Sequence, residues 1–209
     1  MLACFIKAIL GGMCISIGGV VYLSTESHVV GAFLFSIGLL TIYTFGLNLY
    51  TGKVCYIPAK GLRFLPEVAV VLAGNAVGTV GMGYLLGATK LAKLIPSTQE
   101  IVEKKLSDTI VSTFIVAILC GLLMSIAVLG YSKIKDGTGK YLVLVLPVMV
   151  FILSGFEHSV ADLFYFSLAR AWNAKALLYI IIIALGNLAG GVILPLAEKY
   201  LDVKQNNAH

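Results

Sequence analysis

Residues 141–169, YLVLVLPVMVFILSGFEHSVADLFYFSLA, decide the architecture. The run is apolar enough to sit in hydrocarbon. As one helix it would be about 42 Å long at ~1.5 Å per residue, too long for a bilayer core of ~30 Å. Ser154-Gly155 is the natural place to break it, and Glu157, His158 and Asp162 follow at once. Non-helical backbone at membrane depth is tolerated only where it is buried in protein or lines a cavity. An ionisable side chain in a span is costly, and it usually faces the interior or a watery route.

Working outward, five more apolar runs cover roughly residues 3–23, 29–51, 64–88, 107–130 and 175–197. The chain therefore reads as an all-α membrane protein with six transmembrane helices, residues 1–209 forming a single channel-like domain. Composition agrees. Hydrophobic residues make up 59%, and 22 glycines raise the apolar share to roughly 69%, against about 45–50% in soluble domains. Charged residues are only 12%, about half the usual share. A soluble globule, a disordered chain, collagen and a disulfide-stapled mini-protein are all excluded.

The net charge of +5 belongs to loop cations near lipid head groups and does not argue for nucleic acid. With the N-terminus inside, nine of the 15 Lys and Arg are cytoplasmic and six outside. This bias puts both termini, including the polar tail from Asp202, in the cytoplasm at the plasma (inner) membrane. Residues 8–23 are followed by no A-x-A-like cleavage site and read as a retained first span. Cys4, Cys14, Cys55 and Cys120 form no CxxC pair and read as small packing residues. No metal site and no cofactor is expected.

An internal repeat sharpens this picture. AILGGMCISI at residues 8–17 and AILCGLLMSI at residues 117–126 agree at six of ten positions, at an offset of 109. Gly74-Asn75 with Gly78 echoes Gly186-Asn187 with Gly190 at an offset of 112. Each half, about residues 1–90 and 107–200, then holds three spans. An odd number of crossings makes the second copy inverted, the arrangement in which a substrate route lies between the repeats near mid-membrane. The second span of each half is broken, in the first by Thr41, Thr44, Gly46 and Asn48.

His158 is the only histidine inside a span, since His28 and His209 fall in a loop and the tail. That excludes a bis-His haem and leaves zinc short of ligands. The plain alternative for His158 is a helix-to-helix hydrogen bond. The functional reading is a ring that donates a hydrogen bond or a proton to a passing anion. Glu157 reads as a structural partner that satisfies backbone N–H groups at the break. Asp162 shares the face of His158 if the helix resumes there.

The stretch Gly155-Phe156-Glu157-His158-Ser159-Val160-Ala161-Asp162-Leu163-Phe164 resembles the signature of the formate/nitrite transporter family, GFEHSxANMF. Leu49-Tyr50-Thr51-Gly52 resembles its ELFTGN segment, and Gly186-Asn187-Leu188-Ala189-Gly190-Gly191 its GNxxGG. The resemblance implies a homopentamer with an aquaporin-like inverted 3+3 repeat, each protomer holding its own pore. By position it implies Phe35, Leu39 and Leu49 as the constriction on one side of a central chamber and Phe151 on the other. Thr51 and His158 would be the polar pair between them, and Lys105 a vestibule lysine that attracts anions. Asn75, Asn187, Glu157 and Asp162 would be structural polar groups. From the residues alone, Phe35, Leu39 and Phe151 are core packing.

The chain departs from the family pattern in places. Asp162 stands for the usual Asn, Gly121 for an Asn after Cys120, and Asn48 for the Glu of ELFTGN. The cytoplasmic N-terminal helix common in the family is almost absent. The implied function is a channel or transporter for formate, nitrite or hydrosulfide. An aquaporin-like channel for water or neutral solutes is the alternative, although no Asn-Pro-Ala pair occurs. An intramembrane enzyme using Glu157 and His158 lacks any accompanying nucleophile or metal motif.

Overall fold

The computed structural model describes residues 1–206, with side chains to Leu201; the side chain of Lys204 and the whole of His209 lie outside the described residues. Every regular element among them is helical. Four helices are long and apolar enough to cross a membrane: α1 (Leu2–Ser24), α6 (Leu65–Leu86, reached through the single turn Leu62–Phe64), α8 (Ile110–Lys133) and α11 (Ala174–Asn206). The other two apolar runs are built from shorter pieces. The first is α2 (His28–Phe35), α3 (Ile37–Thr44) and α4 (Tyr50–Val54), with α5 (Ile57–Lys60) after it. The second is α9 (Gly139–Leu153) and α10 (Ser159–Leu168). Between α6 and α8 lies α7 (Ile95–Ser107).

That last helix lies in the stretch between the third and fourth apolar runs. The segment is too polar for a span, yet Pro96 opens a helix in the first turn, where a missing N–H costs nothing. Its apolar face, with Thr98 and Val102 buried, packs on α10.

Both breaks form in the same way. Gly46 (φ 59°) and Gly155 (φ 68°) adopt the left-handed conformation that ends a helix. The N–H groups of Leu47 and Phe156 then reach back to the carbonyls of Ile42 and Phe151, each at 2.9 Å. The two turns lie 109 residues apart, the same offset as the sequence repeat.

The four long helices pack face to face in two pairs, α1 on α6 and α8 on α11. Small residues let the backbones meet. A Cβ on Gly78 would fall against the Ile9 carbonyl, and one on Gly190 against the Ile118 carbonyl. Between these pairs sit the broken segments, and their start points are clamped by two buried asparagines. Asn75 donates to Ala8 O (2.7 Å) and Asn48 O (2.9 Å), and its Oδ1 accepts from Tyr50 N (2.8 Å). Asn187 donates to Ala117 O (2.9 Å) and Glu157 O (2.8 Å), and accepts from Ser159 N (2.9 Å). All three partners correspond at the offset of 109.

Candidate functional site

The two clamps hold Leu49 and His158 at equivalent N-cap positions, before α4 and α10 respectively. Leu49 makes no capping bond, whereas His158 Nδ1 accepts from Ala161 N at 3.2 Å. That bond sets the tautomer. A backbone N–H can only donate, so Nδ1 carries no hydrogen and Nε2 does. Nε2 lies 3.0 Å from Thr51 Oγ1, so the imidazole donates and the threonine accepts. The ring also stacks on Phe151, with centroids 5.3 Å apart, and Phe151 meets Phe35 edge-on at 6.1 Å. Phe35, Leu39, Leu49, Phe151, Thr51 and His158 are all at least 97% buried. The structure thus brings the sequence-derived polar pair and its apolar neighbours into one closed cluster.

Two cavities flank this cluster. One, of about 230 Å³, is lined by Ile42, Leu47, Leu49, Gly52, Lys53 and Tyr56 among others. The second, of about 140 Å³, is lined by Phe151, Phe156, His158, Ala161, Asp162 and Tyr165, with Tyr22, Phe35 and Lys105. The six residues named for the first cavity correspond one by one to the first six of the second, again at 109. They sit at opposite ends of α1. Asn48, in the first cavity, bonds to the carbonyls of Cys4 and Lys7, while Tyr22 lines the second. Lys7 and Tyr22 are about 22 Å apart along a helix rising ~1.5 Å per residue.

The charged groups of the two cavities differ. Lys53 pairs with Glu67 at 3.3 Å, half exposed. Its counterpart Asp162 is buried, with Oδ1 3.0 Å from Lys105 Nζ. Glu157 Oε2 also pairs with Lys105. This corrects the assignment of the Glu157 side chain to the broken backbone: Asn187 and His158 take those N–H groups, and Glu157 faces the lysine instead. It also changes the reading of Lys105, a cation held by two carboxylates. Burial works against its ammonium, but Asp162 and Glu157 outweigh that, and its pKa stands above that of free lysine. Lys105, Glu157 and Asp162 were each singled out in the sequence, but nothing there joined them. Tyr22 and Tyr165, which line the same cavity, were missed. The signal for Tyr165 was its place three residues, one helical turn, beyond Asp162.

Among the described residues no group of three or more His, Cys, Asp or Glu could hold a metal ion.

Comparisons with known proteins agree with this frame. A family model described as formate/nitrite transporter matches residues 1–200. The chain is 28% identical to a formate-nitrite transporter of Plasmodium falciparum, over 91% of this chain and 74% of that protein. It is 26% identical to the formate channel FocA of Haemophilus influenzae, over 94% of this chain and 86% of that protein. Against the Plasmodium knowlesi relative it spans only 54% of the partner's length. A solved structure described as a pentameric formate channel with formate bound superimposes with a TM-score of 0.79 at 23% identity, covering 97% of both chains. The chain belongs to the formate/nitrite transporter family, whose members are membrane channels and transporters and not enzymes. It is an integral, multi-pass membrane protein.

Proposed function

We propose that this member of the formate/nitrite transporter family conducts small monovalent anions of weak acids, such as formate, nitrite or hydrosulfide, through the Thr51–His158 contact. The four long helices and the two broken runs make six spans. Residues of about 1–90 and 107–200 form a 3+3 inverted repeat, five copies assemble into a homopentamer, and each protomer carries its own route. Both termini face the cytoplasm, so the Lys53 cavity opens inward and the Lys105 cavity outward.

One observation carries this reading: two repeat-related cavities lie at opposite ends of α1, and the cluster between them is apolar except for one hydrogen-bonding pair. A bare ion in such a place costs tens of kcal/mol. A weak acid with a pKa near ~4 is neutral in only about one molecule in a thousand at neutral pH. Something must therefore replace the lost water as the substrate passes Phe35, Phe151, Leu39 and Leu49. Nε2–H of His158 and the hydroxyl of Thr51 are the groups placed to do so. Because Nδ1 is occupied by the Ala161 N–H, His158 acts as a neutral hydrogen-bond donor and does not surrender a proton. Cavities of this size suit acids of one to three heavy atoms better than sugars or nucleotides.

The test is a stopped-flow light-scattering series in proteoliposomes with formate, nitrite, hydrosulfide and acetate, run beside water flux at two pH values. Selective flux of the smaller acids is expected. Water flux without any acid flux would overturn the reading in favour of a neutral-solute channel.

A further inference from the structure

Two carboxylates on one ammonium are an odd wall for a cavity that admits anions. Lys105 Nζ is bonded to Glu157 Oε2 and lies 3.0 Å from Asp162 Oδ1. The Asp162 side chain is 1% exposed, and its Oδ2 has no hydrogen-bond partner. Because both oxygens reach the same Nζ, the two carboxyl groups are held close to each other. With both ionised, Lys105, Glu157 and Asp162 sum to one negative charge; with one proton between the carboxyls they sum to zero. Like charges this close, sharing a single cation in a buried place, do not both ionise readily. A proton on Asp162 Oδ2 also removes the cost of a buried, unpartnered anionic oxygen.

Among the described residues, no second cation comes from the surrounding elements. The titratable neighbours are Tyr22 on α1, Cys120 on α8, and His158 and Tyr165 flanking and within α10. His158 is neutral by its capping bond.

We propose that Glu157 and Asp162 together bind one exchangeable proton, and that this proton site is thermodynamically linked to anion occupancy of the Lys105 cavity. The inference rests on the anion-conducting reading above. With the proton bound, an arriving anion meets a neutral triad. Once the proton has left to water, it meets a net negative charge. Linkage is reciprocal, so a resident anion also raises the affinity of the pair for its proton. The site distinguishes this chain from one with Asn at 162, where Lys105 and Glu157, both ionised, sum to zero without a bound proton.

Two measurements test it. Infrared spectra of the reconstituted protein at neutral pH should contain the carbonyl band of a protonated carboxyl, absent from Asp162→Asn. Formate flux should be compared between the two proteins across a pH series. Their ratio should be near one in acid. It should then move about tenfold per pH unit in favour of Asp162→Asn once the wild-type pair has lost its proton, since the protonated fraction falls tenfold per unit. Glu157→Gln removes the other carboxylate and should behave the same way, which keeps the test open if one variant does not fold. The same band in both proteins or in neither, or a ratio independent of pH, overturns the proton site. Absence of acid flux from every protein overturns the conducting reading, and the infrared band still reports on the proton.

Discussion

Replacing His158 separates a hydrogen-bond donor from a proton donor. The ring makes three contacts: Nδ1 with Ala161 N, Nε2–H with Thr51 Oγ1, and the stack on Phe151. In His158→Asn the amide oxygen can still cap α10, because Asn is among the best N-cap residues. The shorter side chain gives up the Phe151 stack, about 0.5–1.5 kcal/mol, and no longer reaches Thr51. His158→Leu also loses the cap, about 0.5–2 kcal/mol. Both variants should fold, Leu melting below Asn.

For transport, a hydrogen bond to a charged group contributes about 1.5–3 kcal/mol. At about 1.36 kcal/mol per factor of ten, losing it from the crossing species slows flux roughly tenfold to a hundredfold. The slope of log flux against pH should be unchanged in His158→Asn, because a neutral imidazole whose Nδ1 is capped has no proton to give. The assay is formate uptake into proteoliposomes over a pH series, with protein content normalised. If His158→Asn keeps its fold and its flux loses pH dependence, the imidazole is a proton donor and the tautomer argument is wrong.

Three further outcomes follow from the packing. Asn187→Ala strips three buried partners at once; at about 0.6–1.5 kcal/mol each the loss is about 2–5 kcal/mol, read as a lower melting temperature in detergent, with Asn75→Ala close behind. Gly190→Ala drives a Cβ into the Ile118 carbonyl and should cost about 1–3 kcal/mol or more, whereas Gly81→Ala has open space and should be neutral or stabilising by the same thermal assay. Lys105→Gln leaves Glu157 and Asp162 without their cation, so formate flux and stability should both fall; adding Asp162→Asn should recover part of each, and no recovery would count against the charge argument.

The breaks were legible because length and glycine placement act locally. A run of 29 residues overshoots the hydrocarbon, and Gly155 and Gly46 are the residues that tolerate the left-handed turn. The asparagine clamps were half legible: the Gly-Asn echo gave their positions, but their partners depend on how α6 and α11 cross. The pairing of Lys105 with Glu157 spans 52 residues and two elements, and no periodicity reaches that far. The helix at Ile95–Ser107 was not legible because a polar, proline-opened segment gives no membrane signal, although its buried Thr98 and Val102 are spaced one turn apart.

The repeat supplies a frame with two equivalent cavities, and chemistry can arise only where the copies differ. At the N-cap the pair is Leu49 and His158; one residue before, Asn48 and Glu157; four residues on, Lys53 and Asp162. Asn48 uses its amide to tie the first break to Cys4 O at 3.1 Å, while Glu157 turns to Lys105. Lys53 faces Glu67 at a half-exposed edge, where an ion pair is worth little, but Asp162 is buried and needs its cation. Every functional asymmetry therefore falls on the Lys105 side: the hydrogen-bonding ring, the aromatic stack and the surplus carboxylate. The Lys53 side is left with a single, partly exposed ion pair. In the inverted repeat proposed above the scaffold treats both directions alike, so a pH bias between inward and outward flux would come from these differences in the second copy. Measuring formate flux with opposed pH gradients would show that bias in the wild type and its loss in Asp162→Asn; equal bias in both would place its origin in the shared frame instead.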